Sequence, residues 1–407
     1  MADMKRRSFV SAGFVSSMAV AAGAFAKTVP QPDRYQGVGG DDPGPRDYNI
    51  DRDNPTLLNP PRTDAGTLPN LRFSFSDAHM RESSGGWTRQ VTERELPAST
   101  TIAGVDMRLN AGAMRELHWH KEAEWAFVTY GNARITAMDV EGGYYVDDLQ
   151  PGDLWYFPPG IPHSIQGIGK DGCEFLLAFD DGSFDENSTF LLSDWFKHIP
   201  KEVLAKNFGV DPATFNKLPE PRNEYIFAGH EPPALGQDLP PRGKRSHTQF
   251  SHRMMRQKPL TQPGGSVRIT DSSTFKISTQ IAAALVELEP GGMRELHWHP
   301  NNDEWQYYLS GTGRLGVFGA NGDARTYDVH SGDVGYIPFA MGHYIENTGN
   351  DTMRFLELFK SDHYADISLK QWLAMTPPDL VKQHLHLDEG FMASLSPNKT
   401  PVVPPKR

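Results

Sequence analysis

The chain has 407 residues, of which 11% are aromatic, 38 are glycine and 32 are proline. That is enough for two domains, and it favours short strands and turns over long helices. A formal net charge of −11 argues against an electrostatic grip on nucleic acid. The single cysteine, Cys173, excludes an intramolecular disulfide and a cysteine-rich zinc site, and reads as a small buried hydrophobe beside Phe175 and Leu176.

Residues 1–26 read as an export signal. KRRSFV (5–10) is basic, FVSSMAVAAGAFA (14–26) is small and apolar, and Ala24-Phe25-Ala26 fits a small-residue cleavage site. The apolar run is too short for a membrane span. Arg6-Arg7-Ser8-Phe9 is similar to a twin-arginine signal, a route that carries proteins already folded. The expectation is a mature chain starting near Lys27, in the periplasm or secreted, with no membrane segment. Residues 27–65, rich in Pro, Asp, Arg and Gly, read as an extended arm.

From there a repeat governs the chain. AGAMRELHWHKEAEWAFVTYGNARI (111–135) corresponds to PGGMRELHWHPNNDEWQYYLSGTGRL (290–315). PGDLWYFPPGIPHSI (151–165) corresponds to SGDVGYIPFAMGHYI (331–345), and EFLLAF (174–179) to RFLELF (354–359). An offset near 180 residues is far too long for a solenoid and means tandem duplication of a domain. The units are placed at 66–235 and 246–395, followed by a tail at 396–407. AGHEPPALGQDLPPRGKRSH (228–247) has the composition of a linker.

Within the first unit, EWAFVTYGNARITAM (124–138) holds two β-type runs broken at Gly131-Asn132, which predicts a hairpin. DLWYFPPGIPHSI predicts a strand, a Pro/Gly corner and a second strand. FLLSDWFKH (190–198) and SLKQWLAM (368–375) read as helical. The fold class expected is all-β: two tandem double-sheet jelly rolls with short helical segments.

Side chains alternate along a strand, so His118 and His120 share a face, and the short turn Lys121–Ala123 lets Glu124 approach the same point. His163 follows the Pro corner as a fourth candidate. The second unit repeats the set as His297, His299, Glu304 and His343. Three neutral imidazoles and a carboxylate suit a divalent ion that keeps open positions for substrate or dioxygen, and donor chemistry alone leaves Mn, Fe, Co and Ni open. By the same parity Arg115 and Arg294, three residues before a histidine, face away, while Glu116 and Glu295 face inward.

These residues carry a resemblance. Gly112, His118, His120, Glu124 and Gly131, then Gly152, Pro158, Gly160 and His163, resemble the two cupin motifs. The second unit follows with Gly291, His297, His299, Glu304 and Gly311, then Gly332, Pro338 and His343, but has Ala340 in place of a glycine. Gly167 stands where the first unit would usually have asparagine. RELHWHKEAEW, DDGSFDENSTF and VGYIPFAMGHY make the chain similar to the bicupin oxalate decarboxylases over nearly all of 60–395.

The resemblance implies two manganese ions per chain, dioxygen as co-substrate, oxalate as substrate, and a homo-oligomer, either a trimer or a hexamer of two stacked trimers. It also implies that Arg115 and Arg294 enter their pockets, through a bulge near Gly112 or Gly292. It makes Glu186 the proton donor of the first site, where SFDENST by itself reads as a solvated acidic loop. It marks Glu357 as the carboxylate of the second site; there it interrupts an apolar strand, and its repeat partner is Leu177. The two sites are therefore expected to work unequally. One departure is Asp185, where the bacterial relatives tend to have serine, a position bearing on formate against peroxide. The alternatives are a bicupin oxalate oxidase and a non-catalytic storage-type bicupin.

Overall fold

A computed structural model describes residues 47–218 and 224–406. The export signal and most of the arm lie outside them. Within the arm, two short helices, Tyr48–Asp53 and Pro55–Leu58, stand where an extended segment was expected. The helix Tyr48–Asp53 falls in a separate compact unit, and residues 54–407 form the other, which holds both repeats.

The second repeat forms two facing sheets. One holds Asp333–Ile337, Glu304–Ser310, Met353–Phe359, Ala282–Leu288, Gly265–Thr270 and Leu260–Gln262, with Arg72–Ser74 added at its edge. The other holds Ala324–His330, Thr312–Phe318, Gly342–Asn347 and Met293–Trp298, with short partners Ile367–Ser368 and Val402–Val403. In the first repeat the same two layers are joined into one sheet by two long strands, Glu124–Met138 and His163–Phe179.

The hairpin expected at Gly131-Asn132 is absent. The chain runs straight on through a register shift there, passing from one layer to the other while paired throughout with His163–Phe179. The left-handed φ of 66° at Gly131 permits that bend. A turn signal and a sheet-crossing bulge use the same small residues, so the local sequence does not separate them. The corner 158–162 and the helices Leu192–Lys197 and Leu369–Ala374 form where expected.

Each barrel has its own core, built around Phe175, Phe157, Ile165 and buried Cys173 in one and Phe355, Leu315, Ile345 and Tyr308 in the other. A third cluster joins them: Trp125, Phe127, Tyr156 and Leu176 pack with Trp305, Tyr307, Tyr336 and Leu358. Along Glu124–Val128 the alternation is strict, with Glu124, Ala126 and Val128 inward and Trp125 and Phe127 toward the other barrel. Both faces are dry, which is why the run reads as continuously apolar. The segments leading into the repeats are exchanged as well. Arg72–Ser74 pairs with Asp333–Gly335 of the second barrel, and Ser251–His252 pairs with Leu154–Trp155 of the first.

Candidate metal centres and their surroundings

His118 and His163 are opposed across a strand pair, as are His297 and His343. In each barrel this brings three histidines and a glutamate together, with one ligand atom from each lying within 4.8 Å of all the others: His118, His120, Glu124, His163, and His297, His299, Glu304, His343. All eight are buried.

The histidine tautomers follow from the backbone. Each Nδ1 lies beside a carbonyl: His118 at 2.5 Å from Glu116, His120 at 2.8 Å from Glu122, His163 at 2.7 Å from Ile161. In the second barrel the partners are Glu295 at 2.6 Å, Ala365 at 2.7 Å and Met341 at 3.0 Å. A carbonyl only accepts, so Nδ1 carries the proton and Nε2 presents a lone pair to the cluster.

Those lone pairs then face a carboxylate. Nε2 of His299 and His343 lie 2.9 and 2.8 Å from Glu304 Oε2, and Nε2 of His120 and His163 lie 3.2 and 3.4 Å from Glu124 Oε2. Acceptor against acceptor at this range is repulsive unless a cation sits among them. The Nε2 atoms of His163, His297, His299 and His343 accordingly find no hydrogen-bond partner, nor does Glu304 Oε2. The other oxygen of each carboxylate is held from behind, Glu124 Oε1 by Trp155 Nε1 and Glu304 Oε1 by Gln306 Nε2, both at 2.7 Å. Burial pushes His118 and His297 well below the usual imidazole range, with the neighbouring arginine adding to the effect, and lowers His163. Among these ligands His299 alone is raised, because Glu304 beside it outweighs burial; a bound cation would take the place of that proton. Burial would raise Glu124 and Glu304, but the histidines beside them outweigh it and hold both carboxyls low. Neutral imidazoles with an ionised carboxylate are the ligand forms a divalent cation takes. The donor sets fit one.

Parity along the ligand strands is not what the sequence suggests. A register shift lies between Arg115 and His118, and again between Arg294 and His297. One extra residue turns Arg115 and Arg294 to the inside together with the histidines. Glu116 and Glu295, expected inward, instead accept hydrogen bonds from Ser193 N (2.7 Å) and Ser368 Oγ (2.6 Å). The bulge falls within Arg115–His118 and Arg294–His297, not at Gly112 or Gly292.

In the first barrel Arg115, Glu186, Leu177, Phe179 and Phe184 close over the cluster, leaving a cavity of about 10 Å³. The loop read as solvated is a 3₁₀ turn, Glu186–Ser188, whose Glu186 is only 6% exposed. Its carboxyl accepts from the Tyr225 hydroxyl and from Thr88 Oγ1 (3.1 Å). Burial raises it above the ordinary glutamate value, although Arg115 and both hydroxyls pull the other way. Arg115 makes one long contact, to the Tyr225 carbonyl at 3.5 Å, and lies 4.5 Å from the Tyr225 ring centre.

In the second barrel Arg294 is fully buried and fully engaged. Its donors reach Glu357 Oε1 (3.1 Å), Asp366 Oδ2 (2.7 Å), the Tyr364 hydroxyl (2.5 Å) and the Pro401 carbonyl (3.2 Å), and Lys399 pairs with Asp366 from the far side. Burial raises Glu357, against the pull of Arg294.

Tyr225, Thr88, Tyr364 and Asp366 were missed by sequence reasoning. Tyr225 and Pro401 arrive with short strands, Ile226–Phe227 and Val402–Val403, that pair with the arginine strand, and nothing local marks such a pairing. Asp366 had a signal in the repeat. Five residues, 185–189, separate Phe184 from the strand at Phe190, but only two, 365–366, separate Tyr364 from the strand at Ile367.

The comparisons agree with this architecture. The cupin family model matches residues 74–216 and again 253–391. The chain is 55% identical to the oxalate decarboxylase OxdC of Bacillus subtilis (strain 168), over 89% of this chain and 94% of that one. It is 41% identical to a probable oxalate decarboxylase of Arthroderma benhamiae, over 92% and 93%. A solved structure of the Bacillus subtilis enzyme, described for its Mn(II) centres, superposes with a TM-score of 0.88 at 54% identity, covering 91% of this chain and 98% of the other. With two matched domains and this identity over nearly the full length of its relatives, the chain belongs to the cupin family, among the bicupin oxalate decarboxylases.

Proposed function

We propose that the protein is a manganese- and dioxygen-dependent oxalate decarboxylase, forming formate and carbon dioxide, with most turnover in the first barrel. The observation that carries this is a buried Glu186, raised by that burial above the ordinary carboxyl value, and a lightly engaged Arg115 converging on a His3Glu cluster. His118, His120, Glu124 and His163 would hold one manganese ion, and His297, His299, Glu304 and His343 the other. When bound, manganese with dioxygen supplies the electron withdrawal and return that a redox-neutral cleavage of oxalate requires.

The chain's own residues do the rest. Arg115 offers a planar guanidinium with free N–H groups to an oxalate carboxylate. Glu186 keeps a proton at its carboxyl and delivers it to the carbon left when carbon dioxide departs. A cavity of about 10 Å³ holds at most one water molecule, so the Glu186 turn must move to admit oxalate and return to exclude water.

Incubation with oxalate, measuring formate and hydrogen peroxide together, tests the reading. Formate should dominate. Peroxide as the main product would establish the oxidase reading, which Asp185 keeps in view. Unconsumed oxalate would leave the storage-type alternative.

Other parts of the proposal have their own support. Apolar side chains are exposed on the surface of both barrels. The matched pairs are Leu117 with Leu296, Phe190 with Ile367, Trp195 with Trp372 and Met138 with Phe318, and they support a homo-oligomer, trimer or hexamer, which sedimentation would reveal. The units 66–235 and 246–395 rest on the repeat, and limited proteolysis between them is the check. Export rests on residues 5–26: Arg6→Lys with Arg7→Lys should retain the protein in the cytoplasm, and an exported protein with Met1 intact would count against the signal.

A further inference from the structure

Outside the Glu186 turn lies a second cavity, of about 240 Å³, lined by His79, Arg81, Arg94, Glu95, Asn187 and Tyr225 among others. Glu186 lines both this vestibule and the metal cavity, so the turn is the wall between them. The vestibule's charges are unequally used. Arg94 Nε is paired with Glu95 Oε1 at 2.8 Å, and Glu95 is further held by Thr92 N (2.9 Å) and Thr92 Oγ1 (2.8 Å). Asp185, on the turn, adds to the negative charge around Arg94. Arg81 makes no ion pair within 4 Å among the described residues, although its charge is felt by the Glu186 carboxyl.

Arg81 has one hydrogen bond, from a terminal nitrogen to Asn187 Oδ1 at 2.8 Å. Asn187 is the middle residue of the turn, and its amide is aimed by Asp185 Oδ1, which accepts from Asn187 N (2.9 Å) and Nδ2 (2.8 Å). The Arg81 guanidinium also lies 4.3 Å from the centre of the Tyr225 ring, the same ring that Arg115 meets at 4.5 Å from the metal cavity. One tyrosine thus carries an outer and an inner guanidinium, and its hydroxyl bonds to Glu186.

We propose that Arg81 is both the first receptor for the incoming dicarboxylate and the latch of the turn. At rest it holds the neutral amide of Asn187. A carboxylate entering the vestibule offers the same guanidinium an oppositely charged, two-pronged contact in place of a single hydrogen bond to a neutral amide. Arg81 leaves Asn187 for the anion, the turn is released, and the anion stands one aromatic ring away from Arg115. In a chain of net charge −11, a guanidinium outside any ion pair at the entrance also concentrates anions there. This inference rests on the reading of the site as one for oxalate.

The test uses manganese-loaded full-length protein, as wild type, Arg81→Ala, Arg81→Lys and Asn187→Ala. It measures KM and kcat for oxalate, manganese per chain, and hydrogen exchange of the amides of 186–189 with and without oxalate. Arg81→Ala should raise KM about 10–100-fold, the loss expected for a hydrogen bond to a charged group, with manganese unchanged. Its turn should exchange without oxalate as fast as the wild type does with it. Arg81→Lys should recover part of the KM, since it restores charge without the fork. Asn187→Ala should show the fast exchange while KM stays within about twofold, because the latch is gone and the receptor remains. Arg81→Ala with KM and exchange both near wild type would overturn the proposal, as would Asn187→Ala with slow exchange. A wild type that consumes no oxalate overturns the functional reading itself, seen before any variant is compared, and removes the anion from this inference with it.

Discussion

The two metal clusters share every ligand type and nearly every backbone contact, yet their arginines live in different company. Arg115 meets one carbonyl at 3.5 Å and an aromatic ring. Arg294 meets two carboxylates, a hydroxyl and a carbonyl, with Lys399 compensating the second acid. The first site also has five residues to build a turn that carries Glu186, where the second has two residues and a glutamate fixed in mid-strand. A guanidinium saturated by protein carboxylates has no fork left for substrate, and a strand paired on both sides does not open. The cage is common to both copies and the surroundings differ, which is the basis of the proposed division of labour: a working site in one copy and a rigid anchor in the other.

Glu186→Gln is the largest expected break in this contrast. It keeps size and removes the transferable proton, so formate production should fall by roughly 10²–10⁴-fold and the peroxide fraction should rise, with metal content unchanged. Glu357→Gln should have a far smaller effect on product ratio. Unchanged formate production in Glu186→Gln would move the donor elsewhere, with Glu357 first in line. The same carboxyl sets a pH limit. Its value is raised in the folded protein, so it stays protonated at pH values where a free glutamate has lost its proton. Formate turnover should therefore persist above the ordinary carboxyl range and decline as pH rises through the raised value. A kcat–pH profile shows the limb, and Glu186→Gln should lack it.

Removing a ligand from each cluster should be unequal in the same sense. Glu124→Ala and Glu304→Ala should each lower manganese toward one ion per chain. Glu124→Ala should abolish most activity, whereas Glu304→Ala should act mainly by lowering thermal stability. Equal activity loss per folded, half-loaded protein would contradict the division of labour.

The arginines invert the order. Arg294→Ala leaves Glu357 buried without its cation and should destabilise the protein by about 3–5 kcal/mol in denaturant titration, as breaking a buried ion pair does. Arg115→Ala should cost far less stability and far more activity.

The smallest difference lies in the corner before the third histidine. Ala340 holds φ 62° where Gly160 holds φ 76° in the first copy, and no atom lies within 4 Å of a Cβ built on Gly160. The left-handed conformation costs an alanine roughly 1–2 kcal/mol, and the flexibility of glycine in the unfolded chain offsets about half of that. Ala340→Gly should stabilise by about 0.5–1 kcal/mol, and Gly160→Ala should destabilise by a similar amount, read as opposite shifts in Tm.

By itself the sequence determined the repeat, the all-β class, the eight candidate ligands and the corner that delivers His163 and His343. These are carried by spacing, and spacing along a strand is nearly geometry. It also marked Glu357 as misplaced in an apolar run. The rest was decided by pairings between distant segments. The bulge that turns Arg115 inward exists because the strand at 163–165 pairs one residue out of step, and strict parity therefore put Arg115 on the wrong face. The straight course through Gly131 exists because His163–Phe179 runs alongside it. Glu186 is buried because Tyr225 and Thr88 come to it from segments 39 and 98 residues away. Arg294 is occupied because the chain's last strand brings Pro401 and Lys399 to the second barrel. Burial, protonation and the number of free donors are properties of the whole surroundings of a group, and those surroundings are assembled only when the chain is folded.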